Sequence, residues 1–193
     1  MRKNLMAMAL AMAAVTGLGM VAAGDDYAID PAHSGVTFQI LHANLTYIPG
    51  RFDEFSGECT LDTSDPAKSS FKMTIKADSV DTNNAKRDGH LKSPDFFNVK
   101  QYPTIEFTST SVAPIEGGYR VTGDLTLHGE TKPVTFELKG GRMTEFPKGV
   151  KRTGYITQFQ VKRSDFGIAK KVPESMLGDE VHVTISFEAV KKG

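Results

Sequence analysis

Five histidines, at positions 33, 42, 90, 128 and 182, and 23 acidic side chains give this chain the raw material for metal binding or hydrolysis. The spacing argues against both. His33 and His42 have no companion that completes a zinc-ligand pattern, and neither a His-Glu-x-x-His run nor a Gly-x-Ser-x-Gly elbow occurs. His33-Ser34 sets a base beside a nucleophile. Neighbours on a strand point to opposite faces, however, and cannot share the side-chain hydrogen bond that nucleophilic catalysis needs. A structural hydrogen bond is expected of either. His128, in a turn signal, and His182, on the polar face of the last strand, are expected to be solvated. No catalytic residue and no metal site is assigned.

The elements that would position these residues are strands. From residue 34 onward apolar residues recur at every second position, the mark of strands with one face packed and the other in water. Val36, Phe38 and Ile40 form one such run; Phe71, Met73, Ile75 and Ala77 a second; Tyr119, Val121, Leu125 and Leu127 a third. Val134, Phe136 and Leu138 follow, and Val181, Val183, Ile185, Phe187 and Ala189 are the most regular. Turn chemistry falls at Ile48-Pro49-Gly50, Ser64-Asp65-Pro66, Glu116-Gly117-Gly118, His128-Gly129-Glu130 and Gly140-Gly141. A meander of at least seven strands follows, which must close into a barrel or fold into a sandwich to hide its edges. One stretch breaks the pattern. Asn83 or Asn84 can cap one helical turn, and Ser93, followed by Pro94 and Asp95, another. Phe96 and Phe97 would then cross the end of the sheet, as a lid over a barrel mouth would.

The first 23 residues open with Arg2 and Lys3, run uncharged from Leu5 to Ala23 and end in small residues, the pattern of a secretory signal peptide cut after Ala23. Its removal takes away two of 23 basic side chains and none of the 23 acidic ones, leaving a net charge of −2. No basic field remains to attract nucleic acid. The lone Cys59 can form no internal disulfide; it alternates in phase with Phe55 and Leu61 and reads as a small buried core residue. Residues 24–193 suffice for one domain with a core that needs no crosslinks.

Several motifs in a fixed order carry a resemblance. They are Ile29-Asp30-Pro31-Ala32-His33-Ser34, Gly50-Arg51-Phe52-Asp53-Glu54-Phe55-Ser56-Gly57 and Arg87-Asp88-Gly89-His90-Leu91-Lys92-Ser93-Pro94-Asp95-Phe96-Phe97, then Tyr102-Pro103-Thr104-Ile105-Glu106-Phe107. Gly123-Asp124-Leu125-Thr126-Leu127-His128-Gly129-Glu130 and Arg163-Ser164-Asp165-Phe166-Gly167-Ile168 complete the set. With these the chain resembles the YceI-like family from about Tyr27 to its C-terminus. The resemblance implies an all-β fold, an eight-stranded antiparallel lipocalin-like barrel with a short helical insertion at about residues 84–98. It further implies a periplasmic binding protein, not an enzyme, that holds a polyisoprenoid such as a prenyl quinone or polyprenyl phosphate, or a similar lipid, in the lumen.

Strand phase and the family motifs together place Phe38, Ile40, Phe52, Phe55, Met73, Ile75, Leu91, Phe96, Phe97, Phe107, Leu125, Leu127, Phe136, Phe159 and Phe187 along an apolar lumen. His33, Arg87, His90, Lys92, Arg163 and Asp165 are candidates for a head group at the mouth. For these charges a solvated face is the competing reading, and Arg163 with Asp165 would equally close a turn as a structural pair. No cofactor beyond a bound lipid, no nucleic acid and no stable membrane insertion is expected; a homodimer stays open. Two other functions stand beside the carrier. One is a small periplasmic hydrolase or isomerase using His33, His42 or Asp165, the other a ligand-free structural stress protein.

Overall fold

A computed structural model describes residues 24–193, so the signal-peptide expectation lies outside the described residues. Ten strands and one helix follow in the order β1 (Asp25–His42), β2 (Thr46–Phe52), β3 (Phe55–Leu61), β4 (Ser70–Lys76), β5 (Val80–Asp81), α1 (Ala85–Leu91), β6 (Thr104–Ile115), β7 (Gly118–Leu127), β8 (Glu130–Glu145), β9 (Lys151–Lys162) and β10 (Leu177–Lys191). Eight of them form a closed antiparallel ring, β1-β3-β4-β6-β7-β8-β9-β10, which β10 seals by pairing back to β1. The eight-stranded barrel with a helical insertion is the architecture found. Closure removes the edges that would otherwise template aggregation.

The long β1 takes two partners on one side because it bends. Residues 25–28 pair with β3 and residues 36–42 with β2, with a register shift between Asp30 and Gly35. That break falls in the Asp30-Pro31-Ala32-His33-Ser34 motif. Proline cannot donate to a ladder, so a chain that crosses Pro31 as a strand needs such an irregularity.

Three local expectations are corrected. Ile48-Pro49-Gly50 is the middle of β2, where Pro49 faces Gln39; the reversal lies earlier, at Ala43 and Asn44, which adopt φ +50 and +53. Gly140-Gly141 lies within β8 as a bulge between Gly140 and Met143, and the chain turns only beyond Glu145. The insertion holds one helix, not two. Asn84 caps α1 through its side-chain oxygen, which accepts from the Arg87 amide, and the segment from Ser93 continues as hydrogen-bonded turns.

The core falls into two clusters. At the end where β1 and β10 begin and finish the chain's described course, Tyr27, Cys59, Leu61, Phe71, Val112, Val121, Leu138, Tyr155, Phe187 and Ala189 pack into a floor. Phe71, Tyr155 and Phe187 contribute rings to it 5.6–6.0 Å apart. Cys59 is buried there, as expected, and burial pushes its thiol up to about 12. Phe52, Val80, Phe166, Ile168 and Ala169 belong to a second cluster at the opposite end, with Leu91, Phe96, Phe97 and Leu177 against them.

Candidate functional site

Between floor and insertion the inward faces leave a cavity of about 410 Å³. Its middle is lined by aromatic rings. Phe107, Phe136 and Phe159 approach one another at 5.1 and 5.0 Å between centroids, although β7 runs between the strands of the first two. Gly123 of β7 makes that possible: a Cβ there would stand 2.5 Å from the Phe107 ring, so only glycine leaves the ring room to cross. Nearer the insertion, Phe38 packs on Phe52 at 5.5 Å and Phe52 on Phe97 at 5.6 Å.

Fourteen of the fifteen apolar residues placed in the lumen from sequence line this cavity: Phe38, Ile40, Phe52, Met73, Ile75, Leu91, Phe96, Phe97, Phe107, Leu125, Leu127, Phe136, Phe159 and Phe187. Phe55 does not; it is half-buried and packs against the core cluster that holds Ile75, its partner across β3 and β4. Sequence reasoning missed Val181, Val183 and Ile185, which share the inward phase of Phe187 and were recognisable by it, and Ile168, which a loop delivers. The apolar phase and the helical lid thus converge on one space.

The polar candidates separate. Arg87 and His90 reach the mouth, with Thr82 and His42 beside them. Arg87 is half-buried and anchored to Thr82, donating from Nε to Oγ1 at 2.7 Å and from Nη2 to the carbonyl at 2.6 Å. Asp88 accepts from the same Thr82 hydroxyl and amide, which holds its carboxyl below the usual range. His90 is exposed, 3.6 Å from Asp95 and edge-to-face with Phe96. Lys92 does not line the cavity.

Arg163 is corrected from a mouth cation to a clamp. Only 5 % exposed, it donates from Nε to the carbonyl of Gly178, from Nη1 to those of Ile168 and Ala169, and from Nη2 to those of Val172 and Leu177, at 2.8–3.2 Å. All five of its N–H groups are engaged, so none is left for a ligand. Asp165 is exposed and forms no ion pair with it.

His33 lies outside the cavity wall and bonds Asp30 at 2.9 Å; Ser34 donates instead to the Asp30 carbonyl at 2.7 Å. Asp30, His33 and Glu188 are near enough to share a cation, but Arg152 already bridges the two carboxylates at 2.7 and 3.3 Å. His33, His42 and Asp165 therefore form no common site, since only His42 borders the cavity. His128 is not solvated as expected: it is half-buried, its Nδ1 pairs with the Phe166 carbonyl at 3.0 Å, and its ring meets Tyr102 edge-on. His182 is half-buried too, against Gln160 and Tyr47.

Among the described residues no helix is long and apolar enough to cross a membrane. The sequence pattern of the YceI-like domain matches residues 27–189. Protein YceI of Escherichia coli O157:H7 is 40% identical over 194 residues, which covers 100% of both chains. The crystal structure of the Campylobacter jejuni YCEI protein matches at 30% identity with a TM-score of 0.72, covering 77% of this chain and 88% of that one. A polyisoprenoid binding domain from Saccharophagus degradans shares the fold at 18% identity, with a TM-score of 0.64 over 86% of this chain and 98% of its own.

Proposed function

The chain belongs to the YceI-like family, and from that membership together with the cavity we propose a periplasmic carrier that encloses the tail of a polyisoprenoid and leaves its head at the mouth. The observation that carries this reading is the apolar cavity itself, walled by phenylalanine rings without polar handles and roofed by Leu91, Phe96 and Phe97. A volume of that size falls within the range of small-molecule sites. The polyisoprenoid binding domain of the same fold supports the choice of ligand class. Arg87 suits a phosphate or quinone oxygen, because it lines the cavity and its Nη1 has no partner among the described residues. The separation of His33, His42 and Asp165 favours binding over catalysis.

The cavity also bounds the tail. A site of about 150 Å³ accepts one benzene ring, so about 410 Å³ accommodates about sixteen carbons, roughly three isoprene units. Burying three units yields about 12 kcal/mol gross at about 0.8 kcal/mol per methylene, of which only the surplus over ordering costs appears as affinity. Further units would hang in water.

The test is to purify the protein from its native envelope without detergent, unfold it in organic solvent and identify the released lipid by mass spectrometry. A stoichiometric prenyl species is expected. A protein that releases none, and that shows no saturable uptake of any added prenyl lipid, would overturn the proposal.

A further inference from the structure

Among the described residues, the floor end of the cavity holds one polar side-chain atom without a partner. Thr157 lies on β9 in the inward phase of Tyr155 and Phe159, opposite Ile185 of β10, and its side chain is 3 % exposed where it lines the cavity. Its Oγ1 has no hydrogen-bond partner among the described residues. The other lining hydroxyls are engaged: Thr82 with Arg87 and Asp88, and Thr37 with the Thr184 carbonyl. Thr153 of the same strand is also unpartnered among the described residues, but it is buried away from the cavity wall.

A buried hydroxyl left alone is costly, and the great majority in folded proteins are paired. Valine would fill the same shape at position 157 without that cost. We propose that Thr157 forms a polar subsite at the deep end of the cavity, made for a ligand whose buried terminus carries an oxygen, as a hydroxyl or a carbonyl, instead of a bare methyl end. This rests on the carrier reading above, and adds to it a preference at the end of the ligand opposite Arg87. Threonine can donate to either group and can also accept from a hydroxyl. The buried rings of Phe71, Tyr155 and Phe187 pack together at that end, so recognition is by one hydrogen bond in an apolar surround.

The experiment uses delipidated protein and two probes, farnesol and ω-hydroxyfarnesol, each displacing 1-anilinonaphthalene-8-sulfonate. Wild type is expected to bind the hydroxylated chain at least as tightly as farnesol. Thr157→Val should keep farnesol affinity, which also shows that it folds, and weaken ω-hydroxyfarnesol roughly tenfold, as expected for one net hydrogen bond. Thr157→Ser should retain the wild-type ratio. An equal ratio in wild type and Thr157→Val, as when a trapped water serves the hydroxyl, overturns the subsite and leaves the carrier standing. Failure of both probes to bind wild type removes the carrier reading and the subsite with it.

Discussion

Arg163 carries the sharpest lesson at the scale of single residues. Its type and motif suggested a ligand for an anionic head, yet its five donors all end on carbonyls of residues 168–178. Sequence could not show this, because the partners are backbone groups and leave no side-chain signature. Arg163→Met should leave those buried carbonyls unpaired and cost about 3–5 kcal/mol in a urea melt; Arg163→Lys, with three donors in place of a planar fork, should recover little. Asp30 offers a test through pH. Hydrogen bonds from Arg152 and then His33 hold its carboxyl down at about 2. A depressed folded value means that the stabilisation is fully present above the unfolded carboxylate range near about 4 and fades as pH falls toward 2. Asp30→Asn should therefore melt below wild type at pH 6, and the gap should close between pH 4 and 2. A gap that stays constant through that window would place its origin elsewhere than the charge.

At the scale of elements, strands were legible because the two faces of a barrel wall meet different media, which writes period two into Val181 to Ala189 and its counterparts. Pro49-Gly50 and Gly140-Gly141 misled for a physical reason: turn formers also serve where a strand is irregular or its partner comes close. Gly50 sits beneath the Phe38 ring, with room for no Cβ, and Gly140 at a bulge. The lid is the element held most lightly. No residue of α1 is fully buried, and its start depends on the Asn84 cap. Asn84→Ala should cost about 1 kcal/mol of stability and speed the release of a fluorescent prenyl probe in stopped flow, with its equilibrium affinity less affected than its off-rate. Unchanged release would mean that ligand does not pass α1.

For the whole molecule, fourteen cavity residues were readable from phase and motif, but the cavity was not, since a lumen exists only through the sizes of residues brought together across strands. Gly123 beneath Phe107 is such a case: neither residue announces the other. The size of the cavity predicts how affinity depends on tail length. Titration with prenyl alcohols of rising length should show affinity climbing to about three or four units and then levelling; a continued rise through eight units would mean that the wall opens further. The seam of the barrel has a consequence of another kind. β1 pairs with β10 along most of its length, Lys191 bonds Asp25 at 2.6 Å, and the Lys192 amide donates to the Asp26 carbonyl, so the first and last strands complete each other. During synthesis the ring cannot shut until its final fifteen residues are available. Loop-closure entropy makes that longest-range pairing the slow one. A chain delivered through a membrane from its N-terminus would thus travel as an open, threadable sheet precursor, with topology itself timing the moment at which the vessel is sealed.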